Sequence, residues 1–197
     1  MSPKRADLDT RARLLDAAEK TFAGKGYAAV GINEVLSGVG VPKGSFYHYF
    51  PSKDAFGEAV IQRYFESYLR DLDETLADGS RDWPGRLMAY WEGWRANQGL
   101  DDCQGRCLAV KLGAEVADLS EPMRLALKTG TGGVIDRLER AITAGVADGS
   151  LTPGVPPRVL AQSLYDLWLG ASVLAKVHRS LDPMDSALLV TRHLLGA

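Results

Sequence analysis

Apolar positions recur every three or four residues along almost the whole chain. Leu8, Leu15, Ala18 and Phe22 share one helical face. So do Phe56, Val60, Tyr64, Tyr68 and Leu72, and so do Leu160, Leu164, Leu167, Ala171, Leu174 and His178. No sustained period-two run interrupts them, and the pattern predicts an all-α fold. Punctuation divides it into about nine helices. Thr10 or Asp9 caps the first, which ends near Gly24-Lys25-Gly26. A short second helix runs from about Ile32 to Ser37, and a third from Pro42 to Phe50-Pro51. Ser52 caps a long fourth helix reaching about Asp78-Gly79. Asp82 with Pro84 opens a fifth that closes near Gly99, and a sixth starts around Gly105. Ser120-Glu121-Pro122 opens a seventh lasting to Asp148-Gly149. Pro153 to Pro157 forms a stiff connector; an eighth helix then runs to about Arg179, and Asp182-Pro183 opens a ninth. Gly130-Thr131-Gly132-Gly133, inside the seventh, predicts a kink or a break there.

Charge adds an asymmetry to this outline. Residues 1–53 carry eight Lys and Arg against five Asp and Glu, whereas residues 54–197 carry fifteen against twenty. A basic head on an acidic body suggests that the head meets a polyanion. The longest nearly apolar stretch, Leu167 to Ala175, is too short for a bilayer span, and no apolar segment follows the charged N-terminus as in a secretory signal. Two cysteines make no disulfide framework. A soluble cytoplasmic protein with no membrane partner is expected.

The head, residues 1–53, reads as a helix-turn-helix. Its turn is Gly38-Val39-Gly40-Val41, with Gly40 where a positive φ is required. In the following helix Phe46, Tyr49 and Phe50 share a face that packs on the first helix. Lys43, Gly44, Ser45, Tyr47 and His48 face outward or lie at the helix start. Ammonium, hydroxyl, phenol and imidazole are hydrogen-bonding groups suited to phosphate oxygens and base edges. Gly44 lets backbone approach a duplex. On residue types alone, the same aromatic cluster could serve only to stabilise a small helical subdomain.

Gly26-Tyr27, Ile32-Asn33-Glu34-Val35-Leu36, Gly40 through Phe50 and Ser52-Lys53 closely resemble the DNA-binding domain of the TetR family of bacterial transcriptional repressors. The nine-helix outline extends the likeness to the whole chain. The resemblance implies a homodimer with two helix-turn-helix heads on double-stranded operator DNA, and a ligand-binding and dimerisation body over residues 54–197. It implies that Lys43, Ser45, Tyr47 and His48 contact the operator and that Lys53 reaches phosphate. Gly31 departs from the family, which often has Ser or Thr capping the second helix and touching phosphate there.

In the body, the eighth and ninth helices carry broad apolar faces. Gly170, Ala171, Ser172 and Ala175 are small, and Leu188, Leu189, Leu194 and Leu195 are bulky. Two such helices from each of two subunits would form a four-helix homodimer interface; alternatively the faces only cover the monomer's core. Phe65, Met88, Trp91, Trp94, Tyr165 and Trp168 are large apolar groups at helical spacing, candidates for core and for the lining of a small-molecule effector pocket. Cys107 falls in the first turn of the sixth helix, beside Arg106 and one turn before Lys111, a setting that favours thiolate. Cys103 lies four residues upstream as a candidate resolving thiol. The segment Cys103 to Glu115 resembles a branch of the same family, the repressors of N-ethylmaleimide reductase and acrylate utilisation. In that branch a cysteine here is linked to sensing electrophiles or unsaturated acids. Arg106 replaces that signature's glycine, and Cys107 as a small buried packing residue is the other reading.

Nothing points to catalysis, a metal or a cofactor. His48, His178 and His193 are scattered, the cysteines form no Cys-x-x-Cys pair, and Gly130-Thr131-Gly132-Gly133 follows a helical pattern rather than a strand. Two classes remain: a ligand-responsive DNA-binding regulator, or a dimeric interaction or ligand-sequestering protein whose helix-turn-helix binds only protein.

Overall fold

The computed structural model describes residues 3–100 and 107–196. Among them are nine helices and no strand: α1 Pro3–Lys25, α2 Ile32–Val39, α3 Lys43–Tyr49, α4 Lys53–Leu76, α5 Trp83–Gln98, α6 Leu108–Leu119, α7 Glu121–Ala147, α8 Pro157–His178 and α9 Asp182–Leu195. The all-α outline holds, with four differences, of which one is that α2 runs on through Gly38 and Val39, expected in the turn; the expected start of the sixth helix near Gly105 lies outside the described residues. The first helix starts at Pro3 and passes through Asp9 and Thr10. Proline is tolerated in a first turn, and Asp9 and Thr10, residues suited to capping, stand within the helix rather than at its start. Cys107 is the N-cap of α6 rather than a residue of its first turn, and its side chain makes no capping hydrogen bond. The helix α7 is unbroken across Gly130–Gly133. Gly130 serves close packing instead: a Cβ there would lie 2.1 Å from the Phe65 ring.

The chain forms two compact units. Of the described residues, the first contains those up to Glu66 together with Cys107–Gly130, and the second those of 67–100 and 131–196. In the first, Leu14, Leu15, Ala18 and Phe22 of α1 are buried with Val35 and Leu36 of α2, Phe56, Val60 and Ile61 of α4, and Leu108, Leu112 and Val116 of α6. Burying a side chain of this size stabilises by about 1.5–3 kcal/mol, so this unit rests on its apolar stripes. Gly57 of α4 lies under Met123 of α7, where a Cβ would come within 2.6 Å of the sulfur.

The second unit is built around rings. Trp91 and Trp168 stack with centroids 4.9 Å apart, Trp91 and Trp94 at 5.7 Å, and Tyr165 meets Trp94 edge-on at 5.6 Å. Trp94 Nε1 donates to Ser172 Oγ at 3.0 Å and Trp168 Nε1 to Thr191 Oγ1 at 2.9 Å. These bonds explain why a serine and a threonine lie fully buried in an apolar core. No helix among the described residues is long and apolar enough to cross a membrane.

Candidate nucleic-acid interface and sensor segment

The helix-turn-helix is assembled from local rules. Gly31 caps α2 in an extended conformation with no side-chain bond, and Gly40 ends it at φ +69°, its N–H directed at Leu36 O and Ser37 O. Arg13 of α1 donates to Val39 O at 2.9 Å and so satisfies another carbonyl at that helix end. Pro42 then caps α3. Phe46 is fully buried and Phe50 nearly so; both meet Phe56 of α4, at 5.3 and 4.6 Å between centroids. Phe22 of α1 reaches the same ring at 6.2 Å. Tyr49, expected on this buried face, is only half-buried, and its ring lies 5.1 Å from that of His48.

With the phenylalanines inward, the other side of α3 faces solvent. Lys43, Gly44, Tyr47 and His48 are exposed and Ser45 is half-buried, so these five candidate residues lie together on one short helix. Lys43 forms no ion pair among the described residues. Several other head cations are engaged within the protein: Lys25 pairs with Glu34, and the Arg11 guanidinium lies 5.1 Å from the Phe50 ring centroid. Lys53 stands apart from α3. It is half-buried, its ammonium donates to Tyr27 O at 3.0 Å, and it lies 4.3 Å over the Tyr27 ring.

Tyr27 is a junction that pattern reasoning missed. Its N–H donates to Glu115 Oε2 at 3.1 Å and its phenol to Asp54 Oδ1 at 2.5 Å. Burial, reinforced by the Asp54 carboxylate, holds the phenol well above the ordinary tyrosine range. The neighbouring Ala28 N–H donates to Glu115 Oε1 at 2.6 Å. Glu115 ends the cysteine-containing segment, but its partners lie more than eighty residues away in sequence and carry no local signal.

Of the sensor residues, Cys107 is buried at the start of α6 and belongs to the first unit. Cys103 and Arg106 lie outside the described residues. Trp91, Trp94, Tyr165 and Trp168 are all buried in the ring cluster of the second unit, whereas Phe65 packs in the first. The Trp91 Nε1–H is buried and has no hydrogen-bond partner among the described residues.

Two family models cover most of this chain. "Bacterial regulatory proteins, tetR family" matches residues 14–60, and "Tetracyclin repressor-like, C-terminal domain" matches residues 84–190. The chain belongs to the TetR family. It is similar to the HTH-type transcriptional repressor NemR of Escherichia coli strain K12, with 41% identity covering 98% of this chain and 97% of that protein. It is also similar to the transcriptional regulator AcuR of Cereibacter sphaeroides, 33% identical over 88% of this chain and 79% of that protein. The crystal structure of E. coli NemR in its reduced form superposes with a TM-score of 0.91, covering 95% of this chain and 97% of that one. The first of the family matches, over residues 14–60, takes in α2 and α3. The relatives found are transcriptional regulators.

Proposed function

We propose that this TetR-family protein is a homodimeric repressor, released from a palindromic operator by a small-molecule effector. The observation that carries this reading is the two-sidedness of α3. Phe46 is wholly buried, while the adjacent Tyr47 keeps 57% of its surface exposed among Lys43, Gly44 and His48. A helix anchored by rings and bare on its polar side is suited to a major groove. In this reading Lys43 meets phosphate, Ser45, Tyr47 and His48 meet base edges or phosphate, and Gly44 permits close approach. Lys53 completes the set by extending one of its N–H groups to phosphate while another stays on Tyr27. A gel shift on DNA flanking the protein's own gene tests the proposal. Binding should fall steeply with salt as phosphate contacts release counterions. Absence of binding to any such fragment would favour an interaction or sequestering protein.

The dimer is proposed to form through α8 and α9, and the effector to be an electrophile or unsaturated acid whose activated double bond adds the Cys107 sulfur at its β-carbon and the thiol proton at its α-carbon, with Cys103 as a second candidate thiol. Cys107 is buried at the N-cap of α6, so the release assay decides between this role and packing. Within the second unit, Trp91, Trp94, Tyr165 and Trp168 are proposed to wall an apolar ligand site of that unit, where the Trp91 N–H, without a partner among the described residues, is a donor for a carbonyl oxygen. An effector can shift the balance between DNA-competent and released forms only by its difference in affinity for the two. Cys107→Ser should abolish release by N-ethylmaleimide while leaving DNA affinity unchanged. Unchanged release in that variant would assign Cys107 to packing.

A further inference from the structure

Glu115 uses both carboxylate oxygens on the main chain of the head. Oε2 accepts from Tyr27 N at 3.1 Å and Oε1 from Ala28 N at 2.6 Å. Two oxygens on two successive N–H groups fix orientation as well as distance, and charge makes each bond stronger than a neutral one. The sequence leaves room for this grip. Gly26 stands at φ +85°, and a Cβ there would approach Glu115 Oε2 to 2.7 Å. The gripped residues open the connection between α1 and α2, which continues through buried Val30 to the cap at Gly31. Glu115 itself sits on α6, whose Leu108, Leu112 and Val116 are fully buried and hold that helix in place.

The grip is part of a larger clamp. The Tyr27 carbonyl accepts from Lys53 and its phenol donates to Asp54, both at the start of α4. Its ring lies edge-on to Phe22 at 5.6 Å. Every polar atom of Tyr27 is therefore bonded to a residue of α4 or α6, although Tyr27 itself lies beyond the end of α1. A loop needed only to reverse the chain could leave these groups to water. Here they are tied to α4, which follows the helix-turn-helix in the chain, and to α6, which packs on α1.

We propose that Glu115 is the positioning residue of the reading head: from α6 it grips the α1–α2 connection and so sets the pose in which α3 is presented to DNA. This rests on the operator-binding role of α3. Two heads held in a fixed pose tolerate one spacing of half-sites, because each added base pair turns one half-site by about 34° around the duplex. Loosened heads follow a changed spacing.

The experiment uses the full-length protein on its operator, located by footprinting in the DNA flanking its gene. It is repeated on duplexes with one base pair inserted or removed at the dyad, and on a single half-site. The unaltered protein should bind the natural spacing at least tenfold more tightly than either altered one. Glu115→Ala should reduce that ratio to threefold or less without changing half-site affinity, and Glu115→Gln, which keeps one acceptor, should fall between. A merely structural role would weaken all duplexes in proportion, and that outcome overturns the proposal. So does a Glu115→Ala protein that discriminates spacing like the original, or an original that does not discriminate. Hydrogen exchange provides a readout without DNA. The Tyr27 and Ala28 amides should exchange at least tenfold faster in Glu115→Ala, with the Leu36 and Phe50 amides unchanged. If the unaltered protein binds no flanking DNA but these amides accelerate, the operator reading fails while the grip stands. If they do not accelerate, the grip itself is refuted.

Discussion

Two glycines of the head show how single residues set its geometry. Gly40 adopts φ +69° with open space where a Cβ would stand, so only backbone strain opposes a side chain there. Gly40→Ala should therefore cost about 1–2 kcal/mol, read as a lower urea midpoint, and Gly40→Asn less. Gly31 is the reverse case. Its backbone is already extended and a Cβ would again meet nothing, so Gly31→Ser should fit without strain. The added hydroxyl should cap α2, for a gain of a few tenths of a kcal/mol. As an uncharged phosphate contact it should raise operator affinity without altering the salt dependence. Lys43→Ala should do what a lost cation does: weaken binding to all sequences and lower the salt slope by about one. Titrations at several salt concentrations separate the two, and unchanged affinity in both Lys43→Ala and Tyr47→Phe would remove α3 from the proposed DNA interface. The charge count of the head overstates what faces DNA, since Lys25 is paired with Glu34 and Arg13 closes the end of α2.

Among the elements, the seventh helix shows where pattern and packing part company. Glycines inside a helix predict weakness, yet α7 runs through Gly130 because that position is a seat for Phe65 of α4. Gly130→Ala should raise intrinsic helix propensity by nearly 1 kcal/mol and still destabilise, because overpacking against a ring costs about 1–3 kcal/mol. Denaturant unfolding of Gly130→Ala, and of the same change with Phe65→Leu, checks this: the second substitution should recover part of the loss. A stabilised Gly130→Ala would mean that the contact is slack. The contrast explains what the sequence could disclose. Helix existence was legible because the apolar period of 3.6 is a local property, and Asp82, Pro84 and Gly40 mark ends through their own chemistry. The inward phenylalanines and outward Lys43, Tyr47 and His48 of α3 follow from the same period. The extension of α1 to Pro3, the N-cap position of Cys107 and the Glu115 grip were not legible. For the first, Asp9 and Thr10 have the chemistry of caps and mask the earlier start, although Leu8 already lies on the apolar face; cysteine is not a characteristic cap, and the third joins residues distant along the chain.

At the scale of the whole molecule, α8 and α9 leave apolar surface uncovered. Leu160, Leu164, Trp168 and Ala175 of α8 are buried within the second unit, but Val173, Leu174 and Val177 are exposed, as are Leu189, Val190 and Leu194 of α9. Leu167, Gly170, Ala171, Leu174, Ala187 and Val190 line an open groove of about 870 Å³ between the two helices, edged by Asp166, His178 and Asp182. An apolar surface with small residues at its floor and charges at its rim is what a second copy of the same helices would cover in the proposed dimer. Leu174→Glu tests this cleanly, because a side chain 49% exposed in the single chain can become charged at little cost to folding. Two-fold symmetry would place the new carboxylate in the interface twice, so the variant should sediment as a folded monomer with unchanged helicity. Its operator affinity should fall by about two orders of magnitude or more, since the second head no longer benefits from the effective concentration that linkage to the first provides. Half-site binding should persist, because α3 and the clamp on Tyr27 lie in the other unit. If Leu174→Glu remains dimeric at micromolar concentration and keeps full operator affinity, the proposed pairing of α8 and α9 is wrong and the two heads must be joined through a different surface.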